Sequence, residues 1–412
     1  MRHATWCAFL ALGVTGCDAA RAPHYTLAAV ESPTAPAAAE PNLFTAADGR
    51  VVMSWIERAD SATHAVRVAI RGTDGTWGAP HDVVRRTDLF VNWADFPSVV
   101  MLGDGRLVAH WLQRNGAGRY AYEVRMAESA DGGATWSESQ TPHRPGIQAE
   151  HGFVSMIVRD SQAYVFFLDG GNNIAAGHAD GDEEHGVPMS LSTHVWNGNG
   201  RPMRHEAKLV VDSRVCDCCQ TSAAMTARGP VVVFRDRSGT TPEIRDIAIA
   251  RHVDNGWQVA QPVHADGWEA DFCPVNGPMV QASGDTVAVA WFTAARDTAK
   301  VQVAFSYDAG ATFAAPVRVD DGAPAGRVGL QLMDGAAYVS WLERGAGDTA
   351  FVKLRRVAQD GTRDSATVVS RSSGARSSGF PRMTRIGDGL LLAWTEPGTP
   401  SVVKIATYRR AP

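Results

Sequence analysis

Ser129-Ala130-Asp131-Gly132-Gly133-Ala134-Thr135-Trp136 and Ser306-Tyr307-Asp308-Ala309-Gly310-Ala311-Thr312-Phe313 are two copies of one phrase. Its residue types describe a tight turn between strands. A carboxylate accepts from backbone N–H groups, Gly allows positive φ, and the closing aromatic is driven between strands by burial. Shorter versions occur at Thr73-Asp74-Gly75-Thr76-Trp77, Asp254-Asn255-Gly256-Trp257 and Asp360-Gly361-Thr362.

Around these turns the chain repeats. Alternating apolar runs end in Trp55, Trp111, Phe167, Phe234, Trp291, Trp341 and Trp394, at the spacing of roughly 40–50 residues, stretched by insertions, that marks propeller blades. Each unit has a short strand, a Gly/Asp turn such as Gly103-Asp104-Gly105, the aromatic-ending strand, a third strand and a second turn. The fold expected is all-β, a β-propeller of four-stranded antiparallel blades, seven in number with six as the alternative. The last unit reaches Pro412 without a fourth strand, and Tyr25–Val30 is a strand without a unit. It is therefore expected to close the ring, because a propeller must protect its edges.

Both long phrases match the Asp box of sialidase-like β-propellers, and the repeat grammar extends that resemblance over nearly all of the chain beyond its leader. The resemblance implies an Arg triad for a substrate carboxylate, an Asp acid/base, and a Tyr nucleophile backed by Glu. The match is partial. Asp95, in Trp93-Ala94-Asp95-Phe96-Pro97, suits the acid/base, and Glu150 or Asp271 suits the second carboxylate. Arg235, Arg237, Arg327 and Arg382 offer guanidinium forks for substrate binding, with His151 nearby and Trp268 as a stacking face. Only Tyr120 and Tyr122 approach the face opposite the Asp boxes, and the Arg-Ile-Pro phrase common near the start of sialidases is absent. Asp131 and Asp308 are assigned to structure rather than chemistry.

Arg2 and His3 precede an apolar run that ends in Val14-Thr15-Gly16-Cys17, which resembles a bacterial lipobox. It implies a signal peptide over 1–16, lipidation of Cys17, a tether with the closing strand over 17–41, and one propeller domain over 42–412. The expected location is the bacterial cell envelope, facing periplasm or exterior, held by the lipid anchor only. A net charge of -5 without basic blocks excludes nucleic acid as a partner. A monomer with a glycan or small-molecule ligand in its channel is expected.

Four cysteines remain beyond Cys7 and Cys17: Cys216, Cys218, Cys219 and Cys273. In an exported chain an even count points first to disulfides, Cys216 with Cys219 and Cys218 with Cys273. A soft-metal site including His151, or a redox site, is the sharper reading. No other cofactor is expected. The acidic loop holding His178, Asp180, Asp182, Glu183, Glu184 and His185 contains metal-binding residue types without fixed ligand spacing. Three functions follow: a glycan-active protein (exo-sialidase-like, a two-carboxylate glycoside hydrolase, or a binder), a non-catalytic platform for envelope or protein partners, or a soft-metal or redox protein.

Overall fold

The structure is a computed structural model that describes Met1 and residues 25–171, 188–197 and 208–411. Cys17, the leader and the acidic loop from His178 to His185 lie outside the described residues. Seven antiparallel sheets stand in a ring, six of them built from consecutive strands. Their innermost strands neighbour one another in the order of the chain: Ala38–Thr45, Ser98–Met101, His151–Arg159, Ser222–Thr226, Met279–Ser283, Pro324–Met333 and Arg382–Ile386, the last beside the first. These strands define blades one to seven. Among the described residues no helix is long and apolar enough to cross a membrane.

The ring is closed as expected. Tyr25–Val30 pairs antiparallel with Val402–Arg410, the third strand of blade seven, so the outer strand of the last blade comes from the start of the chain. Tyr25 stacks on Tyr408 at 4.8 Å between ring centroids and shares a 2.6 Å hydrogen bond with the hydroxyl of Tyr338 in blade six. Two blades depart from the regular count. Blade two has three strands, with one Met126–Gln140 bridge in place of the fourth, and the outer strand of blade four is split at Gly256–Trp257 and Gln261–Pro262. The ring also begins before residue 42, because Ala38 and Ala39 already pair with Glu57 and Ile56.

The core lies between blades. Seven hydrophobic clusters occupy the seven junctions, and Trp55, Trp291 and Trp341 of the repeat are wholly buried in them. Truncating one such ring to Ala costs about 3–5 kcal/mol. The Asp boxes staple these junctions from below. Asp131 accepts from the Thr135 N–H at 2.9 Å and from its hydroxyl at 2.6 Å, and Asp308 does the same with Thr312 at 2.9 and 2.7 Å. The Thr135 bonds hold the Asp131 carboxyl down to about 2. A side chain on Gly133 would press on Val68 of blade one, and one on Gly310 would meet Ile249 of blade four at 2.7 Å. Each box thus seats its blade against the preceding one.

Candidate functional site

The opposite face carries a second repeated device. In blades one, three and six the innermost strand has two residues facing one, and the one is always the repeat aromatic: Trp55, Phe167 or Trp341. The bulged residues Glu40, Phe153 and Arg327 have φ of 50°, 50° and 54°. Bulges re-aim backbone groups, and here each N–H turns towards the preceding blade. Glu40 N–H reaches Thr395 Oγ1 at 3.1 Å, Phe153 N–H reaches Asp95 Oδ2 at 2.6 Å, and Arg327 N–H reaches Asn276 Oδ1 at 2.7 Å. The N–H of Asn276 is in turn directed at the Cys219 sulfur. The latch joins blades seven and one, two and three, and five and six, with Thr395, Asp95 and Asn276 as acceptors, and Cys219 stands at the equivalent place before blade four.

At the junction of blades two and three the latch gathers three ionisable groups. Asp95 is 4% exposed and packs with Tyr122 against Gly152, where an added Cβ would lie 2.2 Å from Asp95 Oδ2 and 3.2 Å from Tyr122 Cε2. The Tyr122 hydroxyl donates to Glu150 Oε1 at 2.7 Å. Burial raises Asp95 to about 7, partly opposed by the Phe153 N–H. Burial also raises Glu150 to about 8, with the Tyr122 hydrogen bond opposing and the Asp217 and Asp95 charges adding to the rise. Two neighbouring carboxyls therefore titrate around neutrality, where one can carry a proton while the other has lost its own. Tyr122 is wholly buried and stacks on Phe90 at 3.8 Å, so its role is to hold Glu150. Glu40, raised by burial to about 7, is a further buried acid on an inner strand, unmarked by any motif in the sequence.

The other candidates are placed differently. Arg235 is 1% exposed and donates to the carbonyls of Arg245, Asn276 and Phe292. Arg327 donates to the carbonyls of Gly379 and Ala375 and to Ser378 Oγ, with its guanidinium 4.8 Å from the Trp93 ring centre. Arg382 donates to Asn42 Oδ1 and lies over Phe96. Arg237 pairs with Glu243 at 2.9 Å. These side chains tie loops to strands, and no Arg triad opens to a ligand among the described residues. Trp268 is 4% exposed beneath Arg235, at 4.7 Å, instead of offering a face to a sugar. His151 is buried between the carbonyls of Tyr122 and Ala149 and the carboxylate of Asp169. Asp271 is exposed at the start of blade five and is not part of the Asp95–Glu150 group. The acids two residues beyond the repeat aromatics include Glu57 and Glu343, which accept the indole N–H of Trp55 and Trp341.

The four cysteines gather at the start of blades four and five as free thiols. No disulfide joins them in this structure: Cys216 Sγ is 3.4 Å from Cys219 Sγ, its expected partner, and 3.6 Å from Cys218 Sγ, whereas a disulfide bond is about 2.05 Å. Cys219 is held well below the usual thiol range. Burial opposes this, but bonds with Cys216 and Cys218, the Arg235 charge and the Asn276 N–H outweigh it. Gly277 sets the approach of the two blades. Its N–H donates to Gln220 Oε1 at 3.0 Å, and a Cβ there would fall 2.0 Å from the Gln220 carbonyl oxygen.

No family model matches the chain, and no curated protein resembles it significantly in sequence. Among solved structures, it is similar to a protein of unknown function from Dyadobacter fermentans, with 14% identity over 91% of this chain and 95% of that one and a TM-score of 0.50. A puromycin-hydrolyzing peptidase from Mycobacterium tuberculosis aligns at 9% identity over 89% of this chain and 50% of its own, also at a TM-score of 0.50. The Hadza microbial sialidase Hz136 aligns at 14% identity over 84% and 73% of the two chains, with a TM-score of 0.48. At these identities the likeness is one of fold alone.

Proposed function

We propose that the protein is a glycan-active propeller, a two-carboxylate glycoside hydrolase working at the junction of blades two and three. The observation that carries this reading is the grouping of Asp95 and Glu150 about Tyr122: Asp95 packs with the Tyr122 ring at Gly152, the Tyr122 hydroxyl donates to Glu150, and burial raises the two carboxyls to about 7 and about 8. Glycoside hydrolysis needs one carboxyl that keeps its proton for the leaving oxygen and one that has lost it. In this reading Glu150 is the acid, and Asp95, which accepts the Phe153 N–H, is the ionised partner acting as base or nucleophile. Tyr122 fixes the Glu150 carboxyl through its 2.7 Å bond.

The two Asp boxes, through their resemblance to sialidase-like propellers, suggest a glycan ligand but mark blade geometry rather than chemistry. The arginines narrow it. With Arg235 and Arg327 committed to backbone carbonyls, recognition of a sialic acid carboxylate by an Arg triad is disfavoured, and neutral glycosides are the expected substrates. The Val14–Cys17 lipobox would tether the ring to the cell envelope by lipid alone.

The test is a panel of neutral glycosides and sialosides incubated with the purified protein. Turnover of a neutral glycoside that is lost in Glu150→Gln supports the assignment. Turnover of no substrate, or turnover indifferent to Glu150→Gln, overturns it, and no turnover would favour the platform reading.

A further inference from the structure

We infer that the Cys216–Cys219 turn, completed by Cys273, is a thiolate site for one thiophilic closed-shell cation, zinc or cuprous copper. The Sγ atoms of Cys216, Cys218 and Cys219 all lie within 4.8 Å of one another, and Cys216 is 3.6 and 3.4 Å from the other two. Around a tetrahedral zinc with metal–sulfur bonds of about 2.3 Å, sulfurs stand about 3.8 Å apart. Three thiols therefore already form most of such a coordination triangle.

The fourth ligand comes from the next blade. Cys218 Sγ, Cys273 Sγ and a carboxylate oxygen of Asp217 form a second group within 4.8 Å, so Cys218 belongs to both. Gly277 permits this convergence, because only a residue without a side chain lets the loop before blade five pass so close to Gln220. Two buried guanidinium groups face the sulfurs. Arg245, wholly buried, donates to Cys216 Sγ at 3.2 Å, and the Arg235 guanidinium lies beside Cys219. Such cations offset part of the charge that several thiolates bring together.

The blade contact does not require this cluster. Cys219 alone holds the latch position that Asp95 and Asn276 hold elsewhere, leaving Cys216, Cys218 and Cys273 without a part in it. Thiolate sulfur selects Cu(I) and Zn(II) over harder cations. Binding is an exchange in which each coordinating thiol loses one proton as its metal–sulfur bond forms, with no change of oxidation state at sulfur.

The full chain, purified under a non-chelating reductant, is titrated separately with Zn(II) and with Cu(I) held in a competing chelator. Bound metal is counted by elemental mass spectrometry and free thiols with a thiol reagent. The expected result is one equivalent of one of the two ions, with at least three thiols protected. A thiolate-to-metal charge-transfer band identifies copper, and zinc is silent. Cys218→Ser, at a half-exposed position, is expected to weaken binding at least 100-fold, and Cys273→Ser, at an exposed one, about tenfold, with unchanged far-ultraviolet dichroism in both. Failure of the fully reduced protein to bind either ion, or full retention of metal in Cys218→Ser, overturns the site. Because the readout is metal content, the outcome is independent of glycoside turnover.

Discussion

Asp95 and Asn276 occupy the same place in two blades, each three residues before an innermost strand, and each accepts the N–H of a bulged residue in the next blade, at 2.6 and 2.7 Å. The amide shows that the latch needs only a carbonyl-type oxygen. A carboxyl at the blade-two position therefore brings something the junction does not require, namely a proton that burial keeps until about pH 7. Cys219 stands at the same place before blade four, three residues ahead of its inner strand, and brings sulfur there. One structural position is filled by three chemistries, and where the extra capacity gathers neighbours, as with Glu150 or with Cys216 and Cys218, a site is built on the latch.

The largest effect that can sharpen this comparison is on folding. At the latch of blades four and five, Gly277→Ala places a methyl 2.0 Å from a backbone oxygen that cannot turn aside, and a loss above about 4 kcal/mol is expected by denaturant titration. At the latch of blades two and three, Gly152→Ala meets the side-chain oxygen of Asp95 at 2.2 Å. That oxygen can move, so the expected cost is about 1–3 kcal/mol, with hydrolysis abolished because Asp95 is displaced. Equal losses at the two glycines would break the distinction.

The next effect is on pH dependence. Asp95 and Glu150 are raised in the folded chain, so each bound proton favours the native state. Their contribution is full below the ordinary carboxylate range near pH 4 and is lost as pH rises through about 7 and 8. Buried His110, lowered by burial to about 3, acts in the opposite direction, withdrawing stability as pH falls below about 6.5. Subtracting the melting curve of Glu150→Gln from that of the parent isolates the carboxyl: the difference should change steadily between pH 4 and 8 and level off above. A flat difference would remove Glu150 from the buried acids.

The smallest effect is at Tyr122. Tyr122→Phe deletes one hydrogen bond, worth about 1 kcal/mol. Because that bond holds the Glu150 value down, its loss should move the basic limb of the pH–rate profile upward, leaving the fold intact by dichroism.

Much of the ring was legible in the chain. Seven aromatics recur because each junction needs one large buried side chain, and Tyr25–Val30 showed itself by being a strand without a blade. The latch was not legible. Glu40, Phe153 and Arg327 take positive φ although none is Gly, because a bulge is a mismatch between two strands and leaves no trace in the alternation of one. The fate of the arginines was hidden for a similar reason: Arg235 and Arg327 bind carbonyls, which every residue type supplies. Asp95 and Glu150 could be singled out because the repeat puts both at the entry to an inner strand, whereas their link through Tyr122, which packs on Asp95 and donates to Glu150, depends on the register between blades.

Asp95→Asn puts the central claim to the most direct test, since the amide that serves at Asn276 should serve equally as a latch here. Hydrogen exchange at the Phe153 amide and glycoside hydrolysis are measured on the same sample. The account predicts exchange protection within a few-fold of the parent and hydrolysis reduced by about 10²–10⁴. Hydrolysis that persists at the parental rate, or falls only in step with lost protection at Phe153, would contradict it.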